Sequence, residues 1–186
     1  NSRYFPVVLI EGSGGGRWYT LAEGDGAYSL EQSPEFVHIR ANGTIEPLLF
    51  YHLNGEGAPY PRANAEFLNA KNFVVYGFKH EESANAVRAI NCQDFRVYGH
   101  GGIGGGESAG QEVYSLQNCD NFLLTNLTLQ TNDLAPRNWD MVEEMPPGGG
   151  APVAVAVGQR VLYYKRGEPA PLPSANAGAS SHWRRY

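Results

Sequence analysis

The middle third of the chain carries ionisable side chains of the types that enzymes use for proton transfer and bond cleavage. Two carboxylates can act together as a general acid and a general base, while a lysine, arginine or histidine can accept a proton or neutralise a negative charge. The candidates of this kind are Lys79, Glu81, Arg88, His100 and Glu107. They are separated along the chain, so only the fold could bring them together.

A glycine-rich run at residues 101–106 suggests a phosphate-binding loop. A P-loop would continue with a lysine, and a dinucleotide fingerprint would open a helix, but neither follows here. We interpret the run as a loop at a corner and predict no cofactor. Cys92 and Cys119 show no metal-ligand spacing with each other or with histidine, so no metal site is predicted either.

The elements that would position these side chains come from a repeat. Three segments share the pattern Asn-Ala/Cys-x-Asn/Asp-Phe followed by alternating apolar residues. They begin at Asn69, Asn91 and Asn118, which are 22 and 27 residues apart. Each segment combines a short strand, a polar turn and a second short strand. A period of about 20 to 30 residues with strands on both sides of a fixed turn is typical of a solenoid.

Other repeat architectures fit less well. A leucine-rich repeat would show its leucine spacing and a helical half, and a propeller blade would need about 40 residues. Antiparallel hairpins would carry Asn-Gly or Asp-Gly at two-residue turns. The pattern therefore predicts an all-β fold, a parallel β-helix.

In such a solenoid, like residues of successive coils stack at about 4.8 Å. We expect inward-facing Asn69, Asn91 and Asn118 to form a hydrogen-bonded amide ladder, and the phenylalanine of each repeat to stack beside it. These phenylalanines are Phe73, Phe95 and Phe122. The two cysteines occupy one repeat position, so a disulfide and a stacked pair of free thiols are both allowed, and the free pair is favoured.

The same frame predicts strand positions. Strands at 73–76, 95–98 and 122–125 would bend after Gly77, Gly99 and Asn126 into strands at 78–81, 100–103 and 127–130. Alternation then sends Lys79 and Glu81 outward and His80 inward, which is unusual for a histidine.

Three regions follow along the chain. Residues 1–64 are predicted as an irregular β segment, with strands at 7–10, 18–21, 36–40 and 48–53 that could form one or two further coils. Residues 65–130 are the regular coils. Residues 131–186 are predicted as a Gly/Pro-rich irregular segment: a loop to 152, a hairpin of 153–157 with 160–165, and a tail that caps the solenoid.

The repeats resemble those of the right-handed parallel β-helix superfamily that includes pectate lyases and related polysaccharide-active proteins. The resemblance covers residues 65–130 and implies a protein that cleaves glycosidic bonds of a polysaccharide, as a lyase or a glycoside hydrolase. Glu81 with Glu107 would be the carboxylate pair of a hydrolase, with Glu143–Glu144 as another choice. Lys79, Arg88 and His100 would supply the base and cations of a lyase.

The resemblance also implies a groove for the sugar chain, with Tyr51, Arg96 and Tyr98 as its binding residues. Tyr76 and Trp18 could provide further stacking faces. The alternative is a noncatalytic structural or carbohydrate-binding β-helix. A secreted location, extracellular or periplasmic, follows from the same likeness.

Composition limits the partners. The chain has 14 Lys+Arg against 19 Asp+Glu, a net charge of -5, and 42% hydrophobic residues, which excludes wholesale disorder and argues against nucleic-acid binding. No apolar run is long enough to cross a membrane as a helix. The sequence starts without Met and shows no amphipathic helix to cover the first coil. We therefore expect a companion chain or a missing N-terminal portion of the β-helix.

Overall fold

The computed structural model describes residues 6–23, 36–55, 62–82, 85–104, 112–128, 130–131, 140–156 and 161–171. Regular structure in these ranges is β, apart from a three-residue 3-10 turn at Pro147–Gly149. Sheet A contains β1 (Val8–Glu11), β3 (Val37–Asn42), β5 (Ala63–Leu68), β7 (Asn85–Ile90), β9 (Glu112–Gln117), β12 (Asp140–Met145) and β13 (Val153–Ala156). Sheet B contains β2 (Gly16–Glu23), β4 (Leu48–Gly55), β6 (Phe73–Glu82), β8 (Gln93–Gly104), β10 (Asp120–Leu127) and β14 (Val161–Arg166), and β11 (Gln130–Thr131) pairs with the end of β8.

From β1 to β10 the chain alternates between the two sheets, so each strand pairs with the one two places later. All of these pairings are parallel: β1-β3-β5-β7-β9 in sheet A and β2-β4-β6-β8-β10 in sheet B. The four strands predicted within residues 1–64 are present and belong to this regular array. The parallel arrangement is therefore wider than the predicted 65–130.

The predicted bends at Gly77, Gly99 and Asn126 do not end strands. Each residue has a positive φ, of 76°, 82° and 54°. Pairing nevertheless continues through them, so β6 and β8 each combine two of the predicted strands. A left-handed residue within the strand shifts the alternation, and this is why Val75 and Phe78 both face the core.

The core lies between the sheets and contains the predicted phenylalanine stack. Ring centroids of Phe73 and Phe95 are 4.6 Å apart, and those of Phe95 and Phe122 are 5.2 Å apart. Phe67 of sheet A extends the stack, with its centroid 4.0 Å from that of Phe73. Parallel in-register pairing places each ring over the next, which confirms this prediction.

The asparagine corner is also present. Asn91 Nδ2 donates to Asn69 Oδ1 at 3.1 Å, and Asn118 Nδ2 donates to Asn91 Oδ1 at 2.7 Å. The prediction that these side chains point inward is wrong, because all three are solvent-exposed. Their backbones have φ of 51–54°, a left-handed conformation that asparagine adopts more readily than most residues. Backbone shape, as well as the ladder, therefore explains why asparagine stands here.

The C-terminal region differs from its prediction. Residues 140–145 form a strand within the predicted loop, and the predicted hairpin is wrong. β13 pairs antiparallel with β12 in sheet A, while β14 pairs antiparallel with β10 in sheet B. The strand β12 was not predicted because Glu144 interrupts its apolar alternation. Glu144 pairs with the inward-facing Leu116 of β9 and is itself buried.

Candidate functional site

His100 lies inside the core and not on a surface. Its Nδ1 is 2.8 Å from the Tyr114 hydroxyl, and its ring stacks on Phe78. Burial, with a smaller contribution from the nearby charge of His80, lowers the pKa of His100 to about 3. A buried imidazole that stays neutral near pH 7 has a packing role here. His80 is also fully buried, as the predicted alternation requires.

Arg88 belongs to an ion-pair network on the outer face of sheet A. Its Nη1 lies 2.5 Å from Oε1 of Glu66, whose side chain is only 1% exposed. Arg40 contacts the other carboxylate oxygen at 2.7 Å, and Arg62 Nε lies 3.5 Å from Oε1. Arg40, Glu66 and Arg88 stand in register on three consecutive strands. The carboxylate explains the position of Arg88 without a substrate.

Neither predicted carboxylate pair forms a described pair of facing acids. Glu107 and the side chain of Glu81 lie outside the described residues, so their pairing stays a prediction. In the other candidate pair, Glu143 and Glu144 occupy opposite faces of β12. Glu144 is buried and bonded to the Tyr164 hydroxyl and to Arg166 Nε. Burial and the charges of Glu112 and Asp140 raise the pKa of Glu143.

The two cysteines are free and fully buried, which agrees with the favoured alternative. Both thiols donate to backbone carbonyls, Cys92 to Phe67 and Cys119 to Ala89. Burial raises the pKa of the Cys92 thiol. The pair is therefore structural in character and has no exposed nucleophile.

The outer face of sheet B carries a column of stacked tyrosines. Tyr19, Tyr51, Tyr76 and Tyr98 stand in register on β2, β4, β6 and β8. Successive ring centroids are 4.9, 5.1 and 5.4 Å apart, with interplanar angles of 7°, 9° and 20°. We call this column the tyrosine ladder.

The ladder offers a particular chemistry. Because each ring covers the face of its neighbour, the solvent meets ring edges and phenol groups, and free ring faces occur only at the ends of the column. Burial and the neighbouring phenols Tyr51 and Tyr98 raise the pKa of Tyr76, so its hydroxyl stays protonated at neutral pH. A protonated phenol both donates and accepts hydrogen bonds. The ladder is thus a row of equivalent polar groups on an apolar support, repeating at the strand spacing.

Two predicted cations lie on the same face as the ladder. Lys79 stands between the inward-facing Phe78 and His80, so alternation directs it outward. Arg96 is held by the C-terminal segment, because its Nη2 donates to the carbonyls of Pro169 and Ala170 at 3.0 and 2.5 Å. Of the predicted residues, the structure brings together Tyr51, Tyr98, Arg96 and Lys79 on one face, and separates Arg88 and His100 from them.

Tyr19 and Glu66 were not among the residues predicted from the sequence. A signal for the ladder was nevertheless present, since Tyr76 and Tyr98 are 22 residues apart, the separation of Asn69 and Asn91. Tyr19 and Tyr51 are 32 residues apart, and this larger separation hides the same register for Tyr19. No such signal marks Glu66, whose burial depends on Arg40 and Arg88 from the two neighbouring strands and on Arg62 just before β5.

Within the described ranges, no group of three or more His, Cys, Asp or Glu residues is arranged to hold a metal ion. Nor does any helix there have the length and apolar character needed to span a bilayer. No family model, curated protein or solved structure matches the chain.

Proposed function

We propose that the chain is a right-handed parallel β-helix of the pectate-lyase-like kind and that its tyrosine ladder binds a polysaccharide. Strands alternating between two parallel sheets, with in-register asparagines at one corner, support the architecture. A secreted location, extracellular or periplasmic, is part of the same proposal, since that is where such a polymer would be met.

The single observation that carries the binding function is the ladder itself. Four stacked tyrosines present the same edge and hydroxyl once per strand along the stacking direction. An extended polymer lying along that direction meets a repeating set of contacts, so weak interactions add up over many units. Tyrosine suits this role because it offers a large rigid surface with a polar tip at small entropic cost.

Affinity electrophoresis and calorimetry with a panel of soluble neutral and acidic polysaccharides would test the proposal. Tyr51→Ala removes a ring from the middle of the ladder, and we expect about tenfold weaker binding, because buried interface tyrosines often contribute more than 1 kcal/mol. Tyr51→Phe keeps the ring and should lose less. Leu9→Ala, on the outer face of sheet A where Leu9 is 50% exposed, is the matched control. Wild-type binding by Tyr51→Ala would contradict the proposal, as would an equal loss in Leu9→Ala.

Cleavage of the bound polymer is a second candidate, favoured by the two basic residues on the ladder face, Lys79 and Arg96. In a lyase reaction, Lys79 in its neutral amine form would take the proton beside a uronate carboxylate, whose charge Arg96 would neutralise. The C–H electron pair would form the C=C bond as the glycosidic C–O bond breaks, and the leaving oxygen would be protonated by water. Formation of an unsaturated product would be followed by absorbance, with Lys79→Met as the variant and the exposed Lys71→Met as its control. Product loss in Lys79→Met alone supports cleavage. Retained binding with no product from the wild-type protein leaves the noncatalytic function.

A further inference from the structure

The tyrosine ladder is interrupted at one position and then resumes. After Tyr98 the next residue in register is Thr125 of β10, and the one after that is Tyr163 of β14. Tyr163 points outward, because its neighbour Tyr164 stacks on Phe122 in the core. It is 60% exposed. A short side chain therefore stands between two tyrosines where the pattern would place a fifth ring.

The spacing of this gap suits one additional ring. Two strand spacings separate the backbones of Tyr98 and Tyr163, which is roughly 10 Å. A six-membered ring over Thr125 would lie about 5 Å from each tyrosine, the separation found within the ladder and within the range that ring stacking favours. Tyr98 stacks on Tyr76 with one face, so its other face is directed toward this gap, and Tyr163 stands in register on the far side of Thr125. We call the gap the Thr125 slot.

The rim of the slot is polar but balanced in charge. Leu123, two residues before Thr125, pairs with Arg96 on one side and Lys165 on the other. Lys165 forms an ion pair with Glu168. Arg96 binds the Pro169 and Ala170 carbonyls, while Asp94 accepts a hydrogen bond from the Ala170 amide.

Two positive and two negative side chains thus lie along the Leu123 side of the slot, where their charges balance, so a neutral ligand with hydroxyl groups matches it better than an anion. We propose that the Thr125 slot binds one pyranose ring of a neutral glycan between Tyr98 and Tyr163. This inference rests on the proposed polysaccharide-binding function and adds a class of sugar and a specific subsite.

Filling the slot tests the inference. Thr125→Tyr supplies the missing ring at the ladder's own spacing and should fold with an unchanged or higher Tm. We expect it to weaken calorimetric binding of the neutral oligosaccharides cellohexaose and xylohexaose about tenfold, because two stacking contacts are lost. Thr125→Val has the shape of threonine and leaves the slot open, so it should bind within about twofold of wild type. Tyr163→Ala removes one wall and should give an intermediate loss.

The outcomes separate the two proposals. If Thr125→Tyr binds the neutral oligosaccharides like wild type while Tyr51→Ala fails to bind polymer, the slot is wrong and the ladder function stands. If the wild-type protein binds none of the polysaccharides or oligosaccharides, both proposals fail. Tighter binding of a uronate hexamer than of either neutral hexamer would overturn the neutral specificity. Should Thr125→Tyr lose its cooperative thermal transition, Tyr163→Ala decides, and wild-type affinity in that variant would overturn the slot.

Discussion

The second strand from each edge of sheet A carries a buried titratable side chain. The two side chains differ in whether a hydrogen-bonding or charged partner faces them. At the C-terminal end, Glu144 on β12 is bonded to Arg166 and to Tyr164. At the N-terminal end, His38 on β3 is fully buried, and neither ring nitrogen has a hydrogen-bond partner among the described residues. A carboxylate can stay charged in the interior when a cation and a donor face it, whereas an imidazole without partners is buried in its neutral form.

The surroundings of each group explain the difference. β14 runs antiparallel along β10 and brings Arg166 to the end of the core, so the charge of Glu144 is compensated. His38 packs against Phe36 and stands in register with Asn64, whose side-chain atoms likewise have no hydrogen-bond partner in the part of the chain that the structure describes. Burial alone lowers the pKa of His38 to about 4. We therefore expect acid to lower the free energy of unfolding through the N-terminal end, and loss of the Glu144 partner to lower it through the C-terminal end.

The largest expected effect is acid destabilisation. The folded-state pKa values of His38 and His100, about 4 and about 3, lie below the value of about 6.5 in an unfolded chain. As the pH falls below about 6.5, the unfolded state takes up protons that the folded state does not. Each histidine then lowers the free energy of unfolding, by roughly 3 kcal/mol at pH 4. Urea unfolding between pH 7 and 4 measures this loss.

The His38→Leu variant provides the control for this titration. Its stability should depend less on pH than that of the wild type, with the difference growing between pH 6.5 and 4. Parallel pH profiles for the two proteins would show that His38 is not the acid-sensitive group, and the contrast between the two ends would then be lost.

The next largest effect concerns the C-terminal end. Arg166→Ala leaves the buried Glu144 carboxylate without its cation, and we expect the free energy of unfolding to fall by about 3 kcal/mol. This is the lower part of the range for a broken buried pair, since the arginine side chain is 35% exposed. Lys165→Ala, on the opposite face of the same strand, should change stability by less than about 0.5 kcal/mol. Equal losses in the two variants would contradict a specific role for the Glu144 pair.

The smallest effect is expected at the asparagine corner, which belongs to neither end. Asn91→Ala removes one amide from the ladder and places alanine in a left-handed conformation, at a cost of about 1–2 kcal/mol. Asn91→Gly removes the backbone cost, because glycine adopts the left-handed conformation readily, and it should recover part of the lost stability. Neither change should depend on pH between 4 and 7, and a strong dependence would show that the corner is coupled to the buried histidines.

Local pattern was sufficient for much of the fold. The turn residues and the alternation around Phe73, Phe95 and Phe122 predicted the strands and the stacking of like residues. The pattern failed at β12, because Glu144 stands at an inward position that should be apolar. Arg166, which is distant in sequence, is what allows this carboxylate to be buried. It also failed for the predicted hairpin of 153–157 with 160–165. Two β segments that are close in sequence can each pair with the edge of a different sheet, as β13 and β14 do.

For the candidate site, Tyr51, Tyr98, Arg96 and Lys79 were found from residue type, and the structure gathers them on one face. His100 was chosen because histidine commonly transfers protons, but its position opposite Tyr114 depends on how β8 faces β9. Arg88 was chosen as a free cation, and its partner Glu66 is 22 residues earlier in sequence. Such partners come from register between strands, which residue type does not reveal.

The amino-acid sequence by itself determined the all-β character, the repeating asparagine corner and the stack of aromatic residues, because these depend on spacing within one repeat and on the conformations that Asn and Gly allow. Only the tertiary structure decided which side chains meet across strands. It aligned four tyrosines into the tyrosine ladder, placed Thr125 at the break in that ladder, and paired the buried carboxylate of Glu144 with Arg166. Those features depend on the number of residues between neighbouring strands of a sheet, which sets the register and is not visible in any single strand.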